Sequence, residues 1–198
     1  ICFVLGAAEP VYHWNFEDEP HDGIGTQKKR LYTRSIQPGI GCNNSGGLLC
    51  GEGQRAHAAN CNDFWSEFTV ELRFKPSHKS AAGTLFTFNR HSYGRGYFGI
   101  KIDAEGRISA EFLVRDDEAK KILKTFRVQG EKNNFIPDRW HLLRVASASG
   151  GKLQIWLDGK LYQIQEKSFG FNDLNGIIPK GYPLISLGFD IGYGKSNL

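Results

Sequence analysis

Residues 89–97 read Asn-Arg-His-Ser-Tyr-Gly-Arg-Gly-Tyr and place His91, Tyr93, Arg95 and Tyr97 at alternate positions between two apolar runs. Aromatic faces stack on the C–H surfaces of sugars. An Arg fork reads hydroxyls and acidic groups, and both residue types concentrate where protein surfaces bind tightly. The segment is the leading candidate for ligand contact; the plainer reading is a long hairpin loop with one tyrosine packed on a sheet. A second candidate is the acidic run Glu17-Asp18-Glu19 with Asp22 close behind. Glu17 and Asp18 could offer the carboxylate oxygens that hard cations take, or could form a solvated turn before Pro20. The third is the trio Cys42, Cys50 and Cys61, set among Gly, Asn and Ser. Three cysteines allow one bridge and one leftover thiol. Cys42 with Cys61 is the preferred pair, because Cys50 falls in a strand-like run. No C-x-x-C spacing occurs, so a zinc site is not expected. Asn43-Asn44-Ser45 on the same stretch is a formal glycosylation sequon.

Hydrolytic chemistry finds less support. A retaining glycosidase needs two carboxyls about 5–5.5 Å apart. Alternate residues of one strand, about 6.5–7 Å apart at Cα, could supply them in a Glu-x-Asp-x-Glu run. Glu71 stands alone between Thr69 and Arg73, Asp103 and Glu105 flank a turn, and Asp116-Asp117-Glu118 lies in a polar stretch. No nucleophile elbow accompanies any Ser, His or Asp set. Catalytic residues are therefore not assigned.

The elements that would carry these residues have period two. Phe68, Val70, Leu72 and Phe74 alternate with Thr69, Glu71, Arg73 and Lys75 until Pro76 stops the run. That is a strand with one apolar and one wet face. Gly83–Phe88 reads as a second strand. Phe98, Ile100 and Ile102 turn at Asp103–Gly106 and return through Ile108, Ala110, Phe112 and Val114. Arg115–Thr125 reads as a loop with at most one turn of helix. Trp140–Ala146 is another strand. Lys152–Leu157 and Lys160–Gln165 flank Asp158-Gly159, the dipeptide that tolerates the positive φ of a two-residue hairpin turn. Leu184–Phe189 is a late strand. Trp14 and Trp156 also fall in strand-like runs, and His141 beside Trp140 reads as a packed, hydrogen-bonded imidazole. Many short strands without helices bury their apolar faces as two stacked antiparallel sheets, so one β-sandwich domain is expected.

Composition agrees. Gly (24) and aromatic residues (13%) are abundant, which suits turns and strands. Net charge is +4, with the cations scattered rather than gathered on one face, so nucleic acid is not an expected partner. No stretch approaches the length of apolar chain that spans a bilayer as a helix. Ile1–Ala8 (ICFVLGAA) reads as the tail of a secretory signal with cleavage after Ala8, which would place the domain at 9–198 and outside the cell. A short buried first strand is the alternative.

A family resemblance rests on an ordered set of pieces. These are Tyr12–Asp18, Gly46-Gly47-Leu48-Leu49, Phe68–Pro76, Gly83-Thr84-Leu85-Phe86 and Tyr97–Ile102, followed by Arg139-Trp140-His141 and Leu153–Gly159. Together they resemble the laminin G-like jelly-roll modules of the concanavalin A-like lectin/glucanase superfamily. The resemblance implies a secreted, non-catalytic module that binds glycans, extracellular proteins or cell surfaces, with carbohydrate the favoured ligand. It also implies a structural Ca²⁺ near Glu17 and Asp18. Such modules are often attached to hydrolases or sulfatases, so an accessory domain of a polysaccharide-processing enzyme is the first alternative and a glycosidase the second. The family's closing strand, with a Gly-x-Ile-Asp-x-Val pattern, is not matched by Asp190–Leu198 and is expected to be missing.

Overall fold

The computed structural model describes residues 14, 16, 29–33, 36–37, 41–42, 47–48, 56–59, 61, 68–77, 82–90, 97–116, 121–132, 135–148, 152–164 and 183–187. These residues form thirteen strands. They are β1 (Tyr32–Thr33), β2 (Ile36–Gln37), β3 (Gly47–Leu48), β4 (Ala56–Ala59), β5 (Phe68–Phe74), β6 (Gly83–Arg90), β7 (Tyr97–Ile102), β8 (Ile108–Asp116), β9 (Lys121–Gln129), β10 (His141–Ala148), β11 (Lys152–Leu157), β12 (Lys160–Ile164) and β13 (Pro183–Leu187). A seven-stranded sheet runs β1-β4-β13-β6-β7-β8-β9, a four-stranded sheet runs β12-β11-β10-β5, and β2 pairs with β3. All pairings are antiparallel. The expected β-sandwich is what forms.

The large sheet buries two transverse rows. Register places Ala56, Leu187, Phe86, Ile100, Ala110 and Val128 side by side in one row. Ala58, Ile185, Phe88, Phe98, Phe112 and Phe126 make the next. The small sheet answers with Phe68, Val70, Leu72 and Phe74 of β5 opposite Ser147, Val145, Leu143 and His141 of β10. Phe68 crosses the gap and meets the rings of Phe98 and Phe112 edge-on, at 5.0 and 5.7 Å between centroids. Alternation in the sequence thus becomes one continuous core between two sheets.

Turn chemistry sets the hairpins. Asp158 and Gly159 adopt φ of 52° and 79°, both in the left-handed region that the two-residue turn requires. In the β7–β8 turn, Asp103 Oδ1 accepts the amides of Glu105 and Arg107, each at 2.9 Å, while Gly106 takes φ 75°. An Asx turn of this kind fixes the register of the strands it joins.

Three expectations are corrected. The stretch from Arg115 to Thr125, expected as a loop with at most one helical turn, is strand at both of its described ends, and residues 117–120 lie outside the described residues. β8 continues to Asp116 and β9 begins at Lys121, with Asp116 opposite Lys121 and Arg115 opposite Ile122. Pairing along the sheet outweighs weak local propensity. Trp14 lies outside any strand; it is buried, and its indole N–H donates to the Lys29 carbonyl at 2.7 Å. The preferred Cys42–Cys61 bridge is not formed. Cys61 is buried just past β4, with its thiol toward the carbonyls of Ala58 and Ala59. The sulfur of Cys42 instead meets the Arg73 guanidinium at 3.5 Å, on the other sheet.

At one margin, Tyr162 of β12 folds over Gly130 and donates its hydroxyl to the Glu131 carbonyl. A Cβ at Gly130 would overlap the ring. Burial, reinforced by Asp103 and Glu131, pushes the Tyr162 phenol above its ordinary 10.0 against the opposing pull of the Ile108 backbone. Gly130→Ala is expected to swing the ring out and lower stability by about 1–2 kcal/mol in urea unfolding. The same substitution should return the Tyr162 titration toward 10.0. Difference absorbance against Tyr162→Phe reads that shift.

Candidate functional site

The outward face of the seven-stranded sheet offers a polar row between the two apolar ones. Register aligns Tyr32 with His57, and then Ser186, Thr87, Gly99, Glu111 and Arg127 across the strands. At the β1 end, the half-exposed Tyr32 ring stacks on the His57 imidazole, 5.5 Å between centroids and 24° between planes. At the β8–β9 end, Glu111 accepts a charge-assisted bond from Lys101 Nζ at 3.1 Å and lies 4.0 Å from Arg127 Nε. Thr87 and Ser109 share this outward register, yet both are buried. Gly99 contributes no side chain between Thr87 and Glu111.

This arrangement suits recognition better than acid–base chemistry. Glu111 is already engaged by two cations, Lys101 and Arg127. The neighbouring carboxylates serve the hairpin. Asp103 also accepts from Gln129 at 3.3 Å and pairs with Arg107, and Glu105 pairs with the same Arg107. Among the described residues, no three His, Cys, Asp or Glu side chains converge to hold a metal.

A second polar cluster, His141 with Asp158, has the outline of a base and its orienting carboxylate. Nδ1 lies 2.9 Å from Asp158 Oδ2, and Oδ1 accepts the Leu142 amide at 2.9 Å. Burial raises the Asp158 carboxyl, but the Leu142 amide, His141 and Arg139 together pull it below its ordinary value. The Nε2 that would do the chemistry is buried without a partner. Phe74 and Phe135 flank the imidazole at 5.5 and 5.1 Å between centroids. A substrate has no approach to that nitrogen, so the pair acts as a clamp on the β11–β12 hairpin. This agrees with the packed imidazole expected at His141.

The structure places the sequence candidates as follows. Asn89 and Arg90 pair with Leu184 and Pro183 in mid-sheet, and Tyr97 opens β7 opposite Leu113. The candidate loop is thereby shortened to residues 91–96. His91, Tyr93 and Arg95 lie outside the described residues, as do Glu17 and Asp18. Sequence reasoning missed Tyr32, His57, Lys101, Glu111 and Arg127. Each sits at a wet position of its strand, but only the register between strands brings Tyr32, His57, Glu111 and Arg127 into one row, with Lys101 diagonal to Glu111.

The chain shares its fold with toxin binding domains. The binding domain of Paraclostridial Mosquitocidal Protein 1 superposes with a TM-score of 0.64 at 13% identity, covering 88% of this chain and 43% of that one. The botulinum neurotoxin serotype C1 binding domain gives 0.62 at 11% identity, over 91% of this chain and 42% of the other. The binding domain of botulinum neurotoxin DC, in complex with rat synaptotagmin II, gives 0.59 at 9% identity, over 91% and 43%. This chain therefore spans less than half the length of these neighbours. No family model matches the sequence, and no curated protein matches it. At such identities the likeness is one of fold. Among the described residues, no helix is long and apolar enough to cross a membrane.

Proposed function

We propose that this chain is a secreted, non-catalytic recognition domain of laminin G-like type. Its ligand is a carbohydrate on an extracellular or cell-surface molecule, met at the rim of the seven-stranded sheet where β6 passes to β7. The observation that carries the reading is the anchoring of that rim. β6 and β7 flank residues 91–96 in the chain, and both strands are seated in the core by the buried Phe86, Phe88, Phe98 and Ile100. The segment that carries His91, Tyr93 and Arg95 therefore joins two strands in the middle of the sheet, and loops set on a packed scaffold are where binding residues concentrate. The Glu111–Lys101 pair and the Tyr32–His57 stack add polar groups toward the two ends of the same sheet. Support also comes from the solved neighbours, which are binding domains by description, one of them in complex with rat synaptotagmin II.

The test is a glycan array followed by titration of the best ligand. The double variant Tyr93→Ala with Arg95→Ala is expected to weaken binding at least about tenfold, as loss of an aromatic and a guanidinium contact does at binding hot spots. Unchanged affinity in a variant that melts like the parent would refute the site. Release of shortened sugars during the titration would refute the non-catalytic reading.

A further inference from the structure

The outward face of the four-stranded sheet, on the other side of the sandwich, combines exposed apolar side chains with an excess of cations. Trp156 of β11 lies opposite Leu161 of β12, and Gln154 opposite Ile164. Leu161 is 55% exposed and Ile164 38%, two of the few large apolar side chains left open to solvent among the described residues. They sit on β12, an end strand of this sheet. A cluster of this kind on an edge strand is an aggregation hazard unless it has a partner.

The charge around it identifies that partner. Outward positions on this face carry Arg73 on β5, Lys75 just past its end, Arg144 on β10 and Lys152 on β11. The carboxylate among them is Glu71, which Arg144 already holds at 2.7 Å. Lys75 rides 5.7 Å above the Trp140 ring, so an aromatic surface accompanies the cations as well. A second copy of this chain packing face to face would bring like charges together. A soluble polyanion would satisfy the cations and leave Leu161 and Ile164 wet. An anionic lipid surface satisfies both, because headgroups take the Lys and Arg side chains while Trp, Leu and Ile enter the acyl boundary.

We infer that this face docks reversibly on membranes bearing acidic phospholipids, with Trp156, Leu161 and Ile164 inserted and Lys75 and Lys152 on the headgroups. It is separate from the rim proposed for ligand recognition, and either can stand without the other.

The experiment is co-sedimentation of the chain with phosphatidylcholine vesicles, with and without phosphatidylserine. The chain is expected to bind the acidic vesicles and to leave the neutral ones in solution. Lys75→Gln with Lys152→Gln should lower partition about 25-fold, given the attraction of each cation to an anionic surface. Leu161→Ser with Ile164→Ser should lower it at least about tenfold through lost insertion. Both pairs are solvent-facing, and matching thermal unfolding curves establish that the variants are folded. Equal binding to neutral and acidic vesicles overturns the inference. So does wild-type binding by the Leu161/Ile164 variant, and so does heparin binding without vesicle binding, which would mark a polyanion site. A dimer that dissociates on Leu161→Ser would instead assign the face to a second copy.

Discussion

Phe98→Ala is expected to lower the unfolding free energy by about 3–5 kcal/mol, the loss typical of truncating an enclosed aromatic ring. Phe98 has no exposed surface and sits where the two sheets meet. Its ring lies 5.0 Å from Phe68 on the opposing sheet, and 4.7 and 6.0 Å from Phe112 and Phe86 on its own. Alanine would forfeit contacts in both layers, and the cross-strand neighbours cannot close the gap without leaving register. The comparison is Phe126→Ala, which alters the same transverse row where packing is only partial. Urea unfolding should show Phe98→Ala at least about twice as costly. Equal losses would mean that the core relaxes around either cavity. Because β6 and β7 also carry the proposed binding rim, Phe98→Ala should weaken ligand affinity although it touches no ligand.

Most of the fold was legible because its signals are local. Strict alternation in Phe68–Phe74 fixes which face is buried, and Asp158-Gly159 fixes the hairpin, whatever the rest of the chain does. Arg115–Thr125 was misread for the opposite reason. Its Asp-Asp-Glu and Lys-Lys groups look helical or solvated in isolation, and only the pairing of Asp116 with Lys121 shows the described ends of the stretch to be strand. The polar row from Tyr32 to Arg127 was hidden altogether. Tyr32 and Arg127 are far apart in sequence, and alternation says which way each points but not which residue lies beside it. The cysteines failed on the same ground. The strand-like run around Cys50 left Cys42 with Cys61 as the preferred pair, whereas the fold sets the Cys61 thiol against the carbonyls of Ala58 and Ala59 and the Cys42 sulfur against Arg73 of the other sheet. The exposed Leu161 and Ile164 were equally hidden. β12 reads as an ordinary hairpin arm until its place at the end of the small sheet is known.

Asp158→Ala is expected to cost about 2–3 kcal/mol at neutral pH, because one carboxylate serves two distant tasks. It accepts the Leu142 amide and holds His141 Nδ1, so it ties the β11–β12 turn to the start of β10. Removing it leaves a buried imidazole with neither nitrogen bonded, since Nε2 already lacks a partner. Alanine must also adopt the φ of 52° that Asp tolerates and Ala does not. The pH dependence follows from the direction of the carboxyl shift. The folded pKa lies below the ordinary 3.8. The folded state therefore binds fewer protons than the unfolded state between the two values. The ionic part of the stabilisation is complete above 3.8 and is lost as pH falls through the lower, folded pKa. Urea midpoints of wild type and Asp158→Ala should accordingly stay a fixed distance apart at neutral pH and draw together in that acid window. Asp158→Asn separates the contributions. It retains an acceptor for the Leu142 amide and suits positive φ, so its loss at neutral pH reports the carboxylate charge. A midpoint gap for Asp158→Ala that does not narrow in acid would show that the carboxylate matters only as a turn former.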